Sequence, residues 1–77
     1  MNKYQRKEIG KILKRLQDIK NDISLYLNEE QEKYDNMPEN LQMSEKAENI
    51  QEAISNLEEA ESLVDDLIFS LENSICV

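Results

Sequence analysis

Apolar residues recur along the first third of the chain at alternating spacings of three and four: Ile9, Ile12, Leu16, Ile19, Ile23 and Tyr26. Leu13 and Leu27 widen the same stripe. That spacing gathers side chains onto one face of an α-helix and predicts a helix over about residues 3–35. A second stripe is more regular. Ile50, Leu57, Val64 and Leu71 repeat every seven residues, with Ala53, Ala60 and Leu67 three positions after the first three. Ile54, Ile68 and Ile75 flank that stripe, and together these positions predict a second helix over about 44–74. Ser44 is suited to cap its N-terminus, and Glu45 and Glu48 favour the positive end of its dipole. Within the first helix, Gly10 lowers helix propensity by about 1 kcal/mol relative to alanine, which loosens the opening turns.

Between the stripes lies YDNMPENLQ, residues 34–42, which holds the only proline. Pro38 restricts Met37 to extended geometry, so the first helix should end near Asp35. Asn36 followed three residues later by Glu39 fits a capping pattern with Pro38 in the first turn of a short helical segment. Residues 36–43 are therefore read as a corner, with Tyr34, Met37, Leu41 and Met43 as an apolar lid over the hairpin end.

Charge supports a turn-back. Residues 1–20 carry a net +5, residues 21–44 a net −5 and residues 45–77 a net −8. Folding about residue 39 or 40 would bring Lys7 level with Glu72, Lys14 and Arg15 with Asp65 and Asp66, and Lys20 with Glu58 and Glu59. Such a ladder selects an antiparallel register even though each exposed pair contributes little. The expected fold is all-α: an antiparallel, coiled-coil-like two-helix hairpin forming one domain.

Composition then asks what stabilises so small a unit. A chain of 77 residues, 34% of them charged, buries little surface as a hairpin. Cys76 is the only cysteine and histidine is absent, so neither an internal disulfide nor the usual Cys/His zinc site is open to it. Self-association remains, and a homodimer forming a four-helix bundle is the expectation. Apolar runs such as Leu67–Phe69 stop at three residues, far short of a membrane span, and the polar N-terminus does not resemble a signal peptide. A cytoplasmic, membrane-free location follows as an expectation.

The residues also argue against catalysis. With no histidine and no glycine-rich loop, neither general-base nor phosphate-cradling machinery is visible, and no catalytic or cofactor-binding residue is assigned. Glu29, Glu30, Glu32 and Asp35 superficially suggest a divalent cation site. They lack both the glycine of a calcium loop and the Glu-x-x-His pairs of a di-iron bundle, so they read as a solvated face. Cys76 reads as an incidental residue near the chain end.

Interaction surfaces are the better candidates. Leu63 and Phe69 fall off the main stripe of the second helix, and Leu25 is displaced on the first. On a hairpin short of core, they suggest a second buried surface. The corner residues Pro38, Glu39 and Leu41 form another candidate, since loops on rigid scaffolds often carry recognition. A third is the acidic outer face of the second helix, including Glu52, Glu58, Glu59, Asp65 and Asp66, which could imitate the charge of a nucleic acid. Direct nucleic-acid binding is not expected, because the basic stretch is short and faces acidic neighbours.

The stretch EEQEKYDNMPENLQ at residues 29–42, followed by Ser44-Glu45 and a helix alternating Glu and Leu, resembles a group of small uncharacterised helical-hairpin proteins of bacteria and their phages. The shared pattern is Y-D-N-x-P-E-N-L-Q, and the likeness covers roughly residues 29–72. The resemblance implies a genomic setting and a helical hairpin. It implies no mechanism. The resulting expectation is a non-enzymatic interaction module, phage- or mobile-element-encoded, that binds and modulates a bacterial host protein. Two alternatives stand beside it: an acidic, nucleic-acid-mimicking inhibitor of a DNA- or RNA-binding enzyme, and a structural protein acting only through self-association.

Overall fold

The computed structural model describes residues 1–76. Helix α1 (Lys3–Asp35) and helix α2 (Glu45–Ile75) pack against each other as an antiparallel hairpin, and the corner between them holds a 3₁₀ turn at Glu39–Leu41. No strand occurs among the described residues. The molecule is a rod of 59 × 15 × 13 Å.

The helix ends follow from local hydrogen bonding. Asn2 caps α1: its side chain accepts from the Gln5 N–H at 2.7 Å, while the Gln5 side chain accepts from the Asn2 N–H at 3.2 Å. This reciprocal pair satisfies two of the donors that a helix start leaves unpaired. Ser44 caps α2 by accepting from the Ala47 N–H at 3.2 Å, with Glu45 and Glu48 in the first turn. The Asn36–Glu39 cap expected from the sequence is not the one that forms. Asn36 instead closes α1, donating its N–H to the Glu32 carbonyl at 2.9 Å, and its backbone is held near-helical at φ −85°, ψ −3°. Pro38 is extended at ψ 145° and precedes the 3₁₀ turn, so it does not sit inside the first turn.

The seam between the helices corrects the assignment of α1. Its inward positions are Ile9, Leu13, Leu16, Lys20, Ile23, Leu27, Glu30 and Tyr34, all half-buried, and Lys20 and Glu30 bring charge into the row. Ile12, Ile19 and Tyr26, read above as part of the main stripe, are exposed. On α2 the inward row is Ala47, Ile50, Ile54, Leu57, Glu61, Val64, Ile68, Leu71 and Ile75, again spaced three and four. Among the described residues only Ala47, Ile50 and Ile54 are buried, and all three lie towards the corner.

The register also differs from the charge-based expectation. Lys20 Nζ meets Asp65 Oδ1 at 2.6 Å, not Glu58 or Glu59, and Ser24 Oγ donates to Glu61 Oε2 at 2.7 Å. Both pairs sum to 85, so the chain folds about residues 42–43 and not 39–40. Apolar layers explain the shift. Near this register, Leu27 lies level with Leu57, Leu16 with Ile68, Leu13 with Leu71 and Tyr34 with Ile50. The charge-ladder register would instead bring Leu13 level with Asp66 and Leu27 with Glu52. Fully burying a leucine contributes about 1.5–3 kcal/mol, and even half of that matches or exceeds an exposed ion pair, so the hydrophobic layers prevail. Lys20, Ser24, Glu61 and Asp65 then form a polar layer in mid-seam, a device that fixes register in paired helices.

Candidate docking surfaces

The corner builds an open concavity. Three backbone bonds tighten it: Leu41 N–H to the Pro38 carbonyl at 2.8 Å, Gln42 N–H to Glu39 at 3.2 Å and Ser44 N–H to Leu41 at 3.0 Å. Ser44 Oγ also donates to the Leu41 carbonyl at 2.6 Å, and Gln42 Nε2 to the Met37 carbonyl at 3.3 Å. These bonds hold an open groove of about 500 Å³ lined by Lys33, Met37, Pro38, Leu41, Ser44, Lys46 and Ile50. Its floor is apolar and its two charged members are lysines. Lys33 Nζ lies 2.6 Å from Glu30 Oε1, a hydrogen bond that raises the Lys33 pKa above its ordinary 10.5 with help from the charge of Glu30.

Of the sequence-derived candidates, Pro38 and Leu41 line this groove, whereas Glu39 is exposed beside it. Sequence reasoning missed Lys33, Met37, Lys46 and Ile50. A signal for the lysines was available: they are the only cations in residues 21–77, a stretch otherwise rich in acids, and they flank the only proline.

Leu63, Phe69 and Leu25 are all exposed, but the fold does not bring them together. Residues step about 100° around a helix, so Leu63 and Phe69, six positions apart, point about 120° away from each other. Leu63 falls on the edge that also carries Leu67. Phe69 falls on the edge of the Lys20–Asp65 bridge, and Leu25 points away from the seam. The proposed acidic face divides similarly. Glu52, Glu59 and Asp66 form one rail at intervals of seven, while Glu58 and Asp65 belong to another, where Asp65 is engaged by Lys20.

Among the described residues, no group of His, Cys, Asp or Glu is placed to hold a metal ion. The acids of residues 29–35 are partly engaged: Glu30 pairs with Lys33, and Gln31 Nε2 donates to Asp35 Oδ1 at 3.0 Å. Cys76 is an exposed free thiol. No helix of the described residues is long and apolar enough to cross a membrane.

No protein-family model matches this chain, and comparisons with curated proteins and with solved structures find no similar protein.

Proposed function

We propose that this chain is a protein-interaction module whose docking site is the corner groove. The observation that carries the reading is the groove's composition: an apolar floor of Met37, Pro38, Leu41 and Ile50, bracketed by the only two lysines of residues 21–77. Such a site suits a protein segment that offers an apolar side chain next to a carboxylate. Apolar burial supplies the affinity, and the lysines orient the segment and exclude basic competitors. Lys33, itself exposed, can exchange Glu30 for a carboxylate of the incoming segment. The corner suits this role because it stands on the best-packed part of the hairpin, so little conformational entropy is lost on binding.

The partner sought is a bacterial host protein, the setting expected from the Y-D-N-x-P-E-N-L-Q pattern of residues 34–42. The expected experiment is a tagged pull-down from bacterial lysate, washed at low and then high salt. One stoichiometric partner should be retained by the unaltered chain and by Phe69→Asp, lost with Leu41→Asp and weakened with Lys46→Glu. Retention by Leu41→Asp would overturn the groove as the site. The acidic-decoy reading is weaker, because the rail of Glu52, Glu59 and Asp66 spaces its charges by about 10 Å, far more sparsely than nucleic-acid phosphates. A decoy's partner would leave entirely in the high-salt wash.

A further inference from the structure

The groove leaves one conspicuous feature unused. Ile12, Ile19 and Tyr26 on α1 and Leu67 on α2 are exposed at 40%, 46%, 56% and 46%. Each immediately precedes a seam residue: Leu13, Lys20, Leu27 and Ile68. So do Ala53 and Ala60, which precede Ile54 and Glu61. In two antiparallel helices, the positions one step before the seam fall on the same broad side of the pair. The opposite side carries the Lys20–Asp65 bridge. At the observed register, Tyr26 lies level with Ala60 and Ile19 with Leu67. Both helices thus carry apolar residues at three positions in seven, the pattern of a helix that must cover two neighbours, and the hairpin supplies only one.

We infer that a second copy of this chain covers this face, the two hairpins being related by a twofold axis along their length with both corners at the same end. Size and shape argue for a copy. The folded chain exposes 5982 Å². A compact monomer of 9.1 kDa would expose about 4,900 Å². The face from Ile12 to Tyr26 is about 21 Å long and two helices wide, so pairing it buries about 850 Å² over both copies, the size of a small, reversible interface. Large residues of α1 stand beside small ones of α2 on this face. Rotation about the long axis sets the ridge of Ile12, Ile19 and Tyr26 over the partner's α2, with Tyr26 opposite the small Ala60, so that large meets small.

Charge selects the same arrangement. The outer edge of α2 on this face is a rail of Glu45, Glu52, Glu59 and Asp66. With corners together, that rail meets the mixed edge of α1, where Lys33 lies level with Glu52 and Arg15 within about a turn of Asp66. With corners at opposite ends, α2 would lie on α2 and the two acidic rails would face each other. The apolar strips run into Lys33 and Lys46, which line the groove, so the two grooves lie on the paired side at one end of the bundle. The inference shares Lys33 and Lys46 with the groove, but the tests separate the two: Ile19→Asp reads the dimer and Leu41→Asp reads the groove.

The test combines light scattering, circular dichroism and a distance measurement on the full chain. The expected mass is twice 9.1 kDa. Ile19→Asp and Ala60→Arg should each halve it while helicity persists, because neither position is buried, and Phe69→Asp should leave it unchanged. Spin labels on the native Cys76 should lie well under the roughly 46 Å length of α2 apart. A folded monomer at high micromolar concentration would overturn the inference, as would a dimer indifferent to both face substitutions. A label separation near the full helix length would overturn the shared-end arrangement.

Discussion

The two ends of the hairpin carry the same three-and-four spacing of inward residues, yet they differ in how completely those residues are covered. Beside the corner, where the chain turns back through the 3₁₀ segment, Ala47, Ile50 and Ile54 are buried. Towards the other end, Val64, Ile68 and Leu71 are only half-buried, and Leu67 beside them is exposed. Two helices cannot enclose a side chain on their own; a third layer must be added. At the corner the chain supplies that layer itself. Along the rest of the rod, nothing in a single copy does.

Substitution of matched residues tests this contrast most strongly. Ile54→Ala should cost about 2–4 kcal/mol, since it empties a buried site, whereas Ile19→Ala on an isolated hairpin should cost less than about 1 kcal/mol. Urea unfolding at two protein concentrations measures both. An Ile19→Ala cost that approaches the Ile54→Ala cost, and stability that grows with concentration, would mean that Ile19 is covered in solution and that the open end is closed by association.

A smaller effect sharpens the comparison from the other direction. Gly10 lies in the helical interior of α1, and an added Cβ would meet nothing within 4 Å. Gly10→Ala should therefore stabilise the chain by about 0.5–1 kcal/mol by restricting the unfolded state and favouring the helix. Thermal unfolding should show a higher midpoint. An unchanged midpoint would mean that the first turns of α1 are uncoupled from the cooperative unit.

The smallest effect comes from the polar layer between the two ends. The Asp65 hydrogen bond raises the Lys20 pKa above its ordinary 10.5, with added support from the charges of Asp65 and Glu61. A raised folded-state value means that the bridge contributes fully below the unfolded pKa and is lost as pH rises through the folded one. Stability should fall above pH 10.5, and Lys20→Met should flatten part of that decline. The Lys33–Glu30 pair within α1 acts in the same direction, so some decline should persist in the variant. An identical alkaline profile in Lys20→Met would remove Lys20 from the account.

Much of the architecture is visible in residue order. The repeat of Ile50, Leu57, Val64 and Leu71 marks the inward row of α2, and Ser44 and Pro38 mark where the chain must break and restart. The inward row of α1 is harder to read. Apolar residues occupy three positions per heptad, and the row that the seam uses includes Lys20, whose charge disguises it. Ile12, Ile19 and Tyr26 look equally eligible until the partner helix is in place. Leu63 and Phe69 show a related difficulty: both leave the main stripe, but in opposite directions, and periodicity alone does not group them into surfaces.

The sequence by itself determined two amphipathic helices and a proline corner, because periodicity, caps and backbone restriction act within a few residues. Tertiary structure decided the register, the seam of α1 and the groove. Those depend on which apolar layers coincide when residues some 40 positions apart come level, and there the burial of leucine and isoleucine outweighs the charge ladder that the linear sequence displays most openly. The same folding step gathered Lys33 and Lys46, from opposite sides of Pro38, onto one apolar floor.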